Sequence, residues 1–432
     1  MVEIIDLRAN SDKKAAFLKK LERRKTGYTA EVMKTVGEII ENVRLDGDMA
    51  LIEYTRKFDG VELKPGMLRV APREMEEACA HVDGRLIEAI KNAKRNIERF
   101  HEKQKEKSWF LAEDEGAFLG QLCRPLETVG IYVPGGAAAY PSSVLMNAVP
   151  AKVAGVRRIV MVTPPRDDGS IDPAILAAAC EAGVDEIYRI GGAQAIAALA
   201  VGTETVPKVD KVAGPGNIYV ACAKKAVYGC CDVDMIAGPS EILVIADDTA
   251  DARFVAADLL SQAEHDRMAS AILATVSERL AIGVKEEIER QIRLLERKDI
   301  MEDSLRAYGA VVIVETMEEA VGLADMIAPE HLELCVAEPF ALLASVKNAG
   351  AVFLGHYSTE PLGDYMAGPN HVLPTGGTAR FFSPLGVGDF MKKINVVSYT
   401  KEALEKVKDD IAVLAEAEGL TAHANAVKIR FG

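Results

Sequence analysis

The sequence predicts an α/β protein built on two parallel β-sheets. At 432 residues, 49% of them hydrophobic, the chain exceeds the size of one ordinary core. From residue 128 onward, short apolar segments alternate with amphipathic segments, which is the pattern of strands joined by crossover helices. The alternation runs in two successive series, so we expect two α/β units.

The N-terminal part of the chain is predicted to be helical. Residues 12–24, 31–57 and 73–105 are rich in Lys, Glu and Arg and carry apolar residues every three or four positions. His81 and His101 lie on these polar helices, so we expect both side chains to be solvated. We interpret this part of the chain as scaffold.

The first series of strands ends in glycine-rich turns. Its strands are predicted at 128–134, 158–163, 186–190 and 209–213. The turns are Pro134-Gly135-Gly136, Gly191-Gly192-Ala193-Gln194 and Gly214-Pro215-Gly216-Asn217. Bare backbone at the carboxyl end of a parallel strand can approach a phosphate closely, which favours a nucleotide site. No G-x-G-x-x-G fingerprint is present, and glycines are also ordinary turn formers, so both interpretations stay open.

The second series collects the reactive side chains. Its strands are predicted at 241–246, 271–277, 309–315, 331–336 and 350–354, and its helices at 249–264, 279–296, 317–327 and 337–347. Asp248 or Thr249 can cap the first of these helices. Gln262 and His265 are three residues apart at its end and share one face, where an amide oxygen and an imidazole could ligate a cation such as Zn²⁺. A cap or surface pair is the alternative.

An acid and an imidazole, Glu330 and His331, stand at the entrance of a predicted strand. Neighbouring residues on a strand point oppositely, so a turn is required there if both serve one site. The long segment from Gly355 to Gly377 lacks periodicity and contains Asp364, which marks it as a functional loop. Five of the seven histidines lie in or beside this second series, which favours a metal or proton-transfer site.

The net charge and the composition argue against some classes of partner and indicate the cellular compartment. The net charge of −14, without a basic stripe, argues against a nucleic-acid partner. The N-terminus carries no signal-peptide pattern, and no uninterrupted apolar segment is long enough to span a membrane. Seven cysteines without a CxxC pair indicate a reduced compartment, so we expect a cytoplasmic protein.

Several long motifs resemble the histidinol dehydrogenase family. They are LSQAEH, APEHLEL, GDYMAGPNHVLPTGGTAR and GLTAHANAV, and the likeness covers nearly the whole chain. The resemblance implies a zinc enzyme of histidine biosynthesis that oxidises L-histidinol to L-histidine through histidinal, consuming two NAD⁺ and one water. It also implies two incomplete Rossmann-like parallel-sheet domains with small helical N- and C-terminal segments, and a homodimer whose active sites are shared between subunits.

The same resemblance assigns roles to individual residues. Zinc ligands match Gln262, His265, Asp364 and His423. Substrate-binding positions match Ser240, Gln262, His265, Glu330, His331, Asp364, Glu418 and His423. NAD-binding positions match Tyr132, Gln194 and Asn217. We expect His331 to accept the hydroxyl proton and Glu330 to activate the water of the second oxidation.

The resemblance also implies a division of the chain. The expected parts are a helical arm at 1–29, a catalytic domain at 30–127 and 240–383, an NAD domain at 128–239 and a C-terminal arm at 384–432. Four positions depart from the family pattern, namely Ala137, Arg267, Gly386 and Gly388. Two rival functions remain at this point. One is a zinc/NAD dehydrogenase of another small alcohol such as a sulfonated diol, which Glu418 disfavours, and the other is a nucleotide-binding module without catalysis.

Overall fold

The computed structural model describes most of the chain as strands and helices. The described residues are 2–8, 11–24, 29–112, 116–135 and 139–432, so Gly136 and Ala137 lie outside them. The strands are β1 (Glu3–Asp6), β2 (Trp109–Ala112), β3 (Ala117–Pro125), β4 (Thr128–Tyr132), β5 (Arg158–Thr163), β6 (Glu186–Arg189), β7 (Lys211–Ala213), β8 (Asp232–Val233), β9 (Glu241–Ala246), β10 (Ser270–Thr275), β11 (Ala310–Ile313), β12 (His331–Cys335), β13 (Ala351–Leu354) and β14 (Met391–Tyr399).

The α-helices connect these strands and cover their faces. They are α1 (Ser11–Arg23), α2 (Ala30–Asp46), α3 (Asp48–Asp59), α4 (Pro72–His81), α5 (Gly84–His101), α6 (Pro141–Ala154), α7 (Pro173–Ala182), α8 (Gly192–Val201), α9 (Ile218–Val227), α10 (Ala252–Ala263), α11 (Glu278–Gln291), α12 (Lys298–Tyr308), α13 (Met317–Ile327), α14 (Pro339–Leu343), α15 (Glu360–Tyr365), α16 (Lys401–Ala417) and α17 (Thr421–Lys428).

Two all-parallel sheets form the centre of the fold, as predicted. The five-stranded sheet has the order β6-β5-β4-β7-β8, and the six-stranded sheet has the order β1-β11-β10-β9-β12-β13. In each sheet the strand order reverses beside the first strand of a series, between β4 and β7 and between β9 and β12. Such a reversal is the switch point of a Rossmann-like sheet.

A third sheet was not predicted. It is antiparallel, has the order β14-β3-β2, and pairs β14 with β3 over their full length, from Met391 opposite Pro125 to Tyr399 opposite Ala117. The C-terminal segment 384–432 therefore contains a strand as well as helices.

Packing of the N-terminal helices differs from the predicted grouping of 30–127 with 240–383. Val36 and Ile39 of α2 share a core with Val160 of β5, on one side of the five-stranded sheet. Ile90 and Ile97 of α5 belong to the core on its other side. An all-parallel sheet must be covered on both faces, and these apolar helix stripes supply part of that cover.

Glycine and capping residues explain the other differences between the predicted and the observed helix boundaries. Gly47, with a φ of 52°, separates α2 from α3, where one helix had been predicted. Asp83 caps a new helix, α5, within the predicted segment 73–105. Asp251, rather than Asp248 or Thr249, caps α10. Segment 1–29 contributes the strand β1, so it is more than a helical arm.

His101 is buried rather than solvated. Its Nδ1 lies 2.8 Å from the carbonyl oxygen of Ile97, and burial lowers the pKa of the imidazole. Among the described residues, no helix combines the length and apolar character needed to cross a bilayer.

Candidate active site

Glu330 and His331 meet at a bend where α13 gives way to β12. Ala328 ends α13 with a φ of 52°, Glu330 lies in the bend, and the strand begins at His331. Both side chains then contact the backbone of Glu241 at the start of β9. The N–H of Glu241 donates to Glu330 Oε2 at 3.0 Å, and His331 Nδ1 lies 3.3 Å from the Glu241 carbonyl oxygen. The turn required by the sequence is present.

The neighbours of His331 fix which ring nitrogen carries the proton. Nδ1 faces two acceptors, the Glu241 carbonyl oxygen and Gln262 Oε1, the latter at 3.0 Å. Nδ1 is therefore the donor, and Nε2 keeps its lone pair. Nε2 is buried without a hydrogen-bond partner among the described residues. Burial lowers the pKa of His331 to about 4, so the imidazole is neutral at pH 7 and its Nε2 can accept a proton.

Glu330 is a buried carboxyl group among other carboxyl groups. Burial raises its pKa well above the usual value, and the nearby Glu241, Asp364 and Glu360 raise it further. A carboxylate with a raised pKa is a stronger proton acceptor once it is ionised. The pKa of Glu330 thus lies above that of His331, which is the reverse of the usual order for a carboxyl group and an imidazole.

A group of potential metal ligands lies at the ends of α10 and α15. One ligand atom from each of His265, Glu360 and Asp364 lies within 4.8 Å of the others. Gln262, one turn before His265, is fully buried, and its Nε2 has no hydrogen-bond partner among the described residues. Oε1 of this amide accepts from His331 Nδ1 and has a second lone pair that a metal ion can use. The mixed imidazole and oxygen set suits Zn²⁺.

Burial and neighbouring charges shift the pKa values of the two carboxyl groups of this cluster in opposite directions. Burial and the neighbouring Asp364 raise the pKa of Glu360. Burial alone would raise the pKa of Asp364 too, but its hydrogen bond to His371, whose Nδ1 lies 3.5 Å from Asp364 Oδ1, and the charges of nearby histidines lower it to about 2. Asp364 is therefore the ionised carboxylate of the pair, as a metal ligand must be.

Further acidic residues hold the short helix α15 in place. The N–H of Glu360 donates to Glu333 Oε1 at 2.7 Å, and the hydroxyl of Thr359 donates to Asp258 Oδ1 at 2.6 Å. These contacts satisfy polar groups at the start of α15. They fix the position of Asp364 one turn later on the same helix.

The structure does not bring all of the predicted site residues together within one chain. Ser240 lies directly before β9, adjacent to Glu241. Glu418 ends α16 and His423 lies in α17, and both side chains are exposed. Within the described ranges, neither side chain makes a hydrogen bond or ion pair with Gln262, His265 or Asp364, whereas those three lie on neighbouring elements.

The three predicted NAD residues lie around the switch point of the five-stranded sheet. Tyr132 ends β4, and its hydroxyl oxygen accepts the N–H of Gly192 at 3.2 Å; burial raises the pKa of this phenol to about 12. Gln194, in the first turn of α8, is buried with no partner for its Oε1 among the described residues. Asn217 caps α9 with its side chain. A side chain at Gly214 would collide with the Tyr132 carbonyl, so this crevice requires glycine.

Two residues of the site had been given no role from the sequence. Glu360 and His371 both contact Asp364, but the segment from Gly355 to Gly377 had been predicted to be an irregular loop. In the structure it contains α15. The spacing of Glu360 and Asp364, four residues apart, would have placed both carboxyl groups on one helical face.

The chain is similar to known proteins in family, sequence and fold. The family described as histidinol dehydrogenase matches residues 22–431. The histidinol dehydrogenase of Caldanaerobacter subterraneus subsp. tengcongensis is 58% identical over 431 residues, covering 100% of this chain and 99% of the relative. That of Bacillus thuringiensis subsp. konkukian is 60% identical over 401 residues, which is 93% of each chain.

A solved structure agrees with these relatives. The crystal structure of histidinol dehydrogenase from Elizabethkingia anophelis has a TM-score of 0.91 and 41% identity, covering 96% of this chain and 95% of that one. The similarity in sequence spans the segments that carry Gln262, His331 and Asp364. The chain belongs to the histidinol dehydrogenase family.

Proposed function

We propose that this chain is an NAD-linked, zinc-dependent dehydrogenase that converts L-histidinol to L-histidine through histidinal. The observation that carries the proposal is the pairing of Glu330 and His331 on the backbone N–H and carbonyl of Glu241, beside Gln262 and the ligand cluster that contains Asp364. Family membership supplies the substrate, since the relatives described above are histidinol dehydrogenases.

His331 and Glu330 divide the proton transfers of the two oxidations. In the first, His331 Nε2 accepts the hydroxyl proton while a hydride leaves the alcohol carbon for NAD⁺. In the second, Glu330 takes a proton from the water that adds to the aldehyde, and a second hydride leaves for a second NAD⁺. The neutral, buried imidazole and the raised pKa of the carboxyl group support these roles.

Zinc would be held by Gln262, His265 and Asp364, with His423 of the partner subunit as the fourth ligand. When bound, the ion would orient the amino alcohol and polarise its oxygen. Substrate contacts would come from Ser240 and the ligand residues, and from Glu418 of the partner subunit. A carboxylate at that position suits a cationic amino alcohol.

The crevice of the five-stranded sheet would bind NAD. Tyr132, Gln194 and Asn217 surround it. Oε1 of the buried Gln194 has no hydrogen-bond partner among the described residues, which supports a contact with a ligand. We further propose a cytoplasmic homodimer with shared active sites. Residues 128–239 would form the NAD unit together with the helices of 30–127, and 240–383 the catalytic unit, joined by β1.

The proposal predicts two NADH per histidinol. Purified, zinc-loaded protein should convert a limiting amount of histidinol completely, with NADH followed by absorbance and histidine by chromatography. Because both oxidations occur at one site, free aldehyde should not accumulate. A parallel reaction with a sulfonated diol tests the rival substrate. Turnover of the diol but not of histidinol would overturn the proposed substrate, and no NADH from either would overturn catalysis.

Glu330→Gln is expected to damage aldehyde oxidation far more than alcohol oxidation. The amide oxygen of Gln can still accept the N–H of Glu241, so the local structure should persist, but an amide cannot take a proton from water. Oxidation of supplied histidinal should fall by about 10²-fold or more. A surface variant on α5, Glu98→Gln, should leave both rates unchanged. Equal losses in the two half-reactions would mean that Glu330 positions the substrate.

A further inference from the structure

A buried arginine from the N-terminal segment reaches the active-site end of the six-stranded sheet. Arg24 follows α1 directly and is 5% exposed. Its guanidinium donates to Glu241 Oε2 at 2.6 Å, to the Met268 carbonyl at 2.6 Å, and to the carbonyls of Ser240 at 2.7 Å and of Pro239. One side chain therefore binds four groups around the start of β9.

Glu241 links this arginine to the proposed catalytic pair. Its side chain is held from two directions, by Arg24 and by the N–H of Gly376, which donates to Oε1 at 2.9 Å. Its backbone N–H and carbonyl contact Glu330 and His331. Any movement of the Glu241 backbone would therefore shift both catalytic side chains together.

We propose that Arg24 and Glu241 are positioning residues for catalysis. By fixing the backbone of residues 239–241, they hold Glu330 in place and keep the protonated Nδ1 of His331 directed at the Glu241 carbonyl, which leaves Nε2 free as the base. This inference rests on the proposed function, because it assigns those two roles to His331 and Glu330.

A lysine at position 24 would not make the same set of contacts as the arginine. A planar guanidinium carries five N–H donors in a rigid fork, so it can bind a carboxylate and several carbonyls at once. A lysine ammonium keeps the charge that Glu241 needs but cannot reach all four acceptors in this geometry. Arg24→Lys should therefore loosen the segment without leaving a buried carboxylate unpaired.

Arg24→Lys is expected to lower kcat for histidinal oxidation by about 10²-fold, since displacements on the order of 1 Å at reacting groups have effects of that size. The KM for NAD⁺ should stay within about threefold, because the cofactor crevice lies on the other sheet. Metal content and thermal unfolding are measured alongside. The control is Lys211→Met, which removes a buried cation that pairs with Asp232 at 2.9 Å at the start of β7. It should lower stability without a selective loss of kcat.

A double-mutant cycle separates positioning from simple anchoring of α1. If Arg24 acts through Glu330, adding Arg24→Lys to Glu330→Gln should reduce histidinal oxidation by at most about threefold further. The same 10²-fold loss in both backgrounds would overturn the inference. Should Arg24→Lys fail to fold, Glu241→Gln provides the same cycle, since it keeps the backbone and the side-chain volume while weakening the contact with Arg24.

Wild-type protein in the same assay distinguishes the two hypotheses. No NADH from wild type with histidinol or histidinal would mean that the proposed function is wrong. An active wild type with additive effects would leave the function intact and reject the positioning role.

Discussion

Chelation of the bound metal is expected to abolish NADH formation from histidinol while the protein stays folded. Gln262 lies on α10, His265 lies in the turn that follows it, and Asp364 lies on α15. Both helices are already fixed, α10 by its packing in the core and α15 by the contacts of Glu360 and Thr359 with acidic residues. The metal would therefore complete a site within an already packed structure. Activity is measured after dialysis against a chelator, with metal content and circular dichroism measured on the same sample.

Metal add-back and two histidine variants complete this test. Zinc should restore activity, and His265→Asn should lower the bound metal per chain. His81→Asn should not, because His81 is an exposed side chain bonded to the carbonyl of Glu77. Full activity in verified metal-free protein would reject the requirement for a metal.

Mixing two inactive proteins, His423→Asn and His265→Asn, is expected to restore activity. In the structure His423 is exposed and, among the described residues, makes no hydrogen bond or ion pair with the cluster around His265. If the C-terminal segment completes the site of the partner subunit, each mixed dimer contains one site with both histidines intact and one with neither. Mixed dimers isolated through two different tags should have about half of the wild-type activity per dimer.

A second mixture provides the matched control. His265→Asn and Asp364→Asn both alter the cluster within a single chain, so every site of their mixed dimer carries a lesion. That dimer should stay inactive under the shared-site arrangement. If the mixture of His423→Asn with His265→Asn also forms dimers and remains inactive, His423 serves its own chain.

The sequence predicted those parts of the fold that depend on local patterns. Apolar runs such as Ile242 to Ala246 identified the strands of both parallel sheets except the edge strands β1 and β8, because a strand buried on both faces is apolar throughout. The antiparallel sheet was missed because β14 pairs with β3 over a long sequence separation, for example 274 residues between Gln121 and Asn395, and no local pattern indicates such a pairing. His101 was wrongly predicted to be solvated because α5 is mostly polar, but it lies four residues after Ile97 on the buried face of that helix.

The site was partly predictable for the same reason. Gln262 and His265 follow from helical spacing, and the bend at Glu330 follows from strand alternation. Their roles came from family resemblance. Arg24 gave no signal, because its carboxylate partner, Glu241, lies 217 residues away and forms the contact only after the sheet assembles.

The two candidate sites lie at opposite ends of their parallel strands. The neighbouring helix ends therefore differ in electrostatic character between the two sites. The crevice near Tyr132 lies at the carboxyl ends of its strands, where α8 and α9 begin. The cluster near His331 lies at the amino ends of its strands, where α10 and α13 end. The dipoles of these helices place partial positive charge at the first location and partial negative charge at the second. A group of opposite charge beside one helix end is stabilised by about 0.3–1 kcal/mol.

Each bound molecule would thus meet a complementary field before any side chain contributes. The pyrophosphate of a dinucleotide is attracted to helix N-termini, whereas a metal cation and a protonated amine are attracted to helix C-termini. The direction in which the chain threads its second sheet therefore adds the ends of α10 and α13 to the carboxylates that attract a cation.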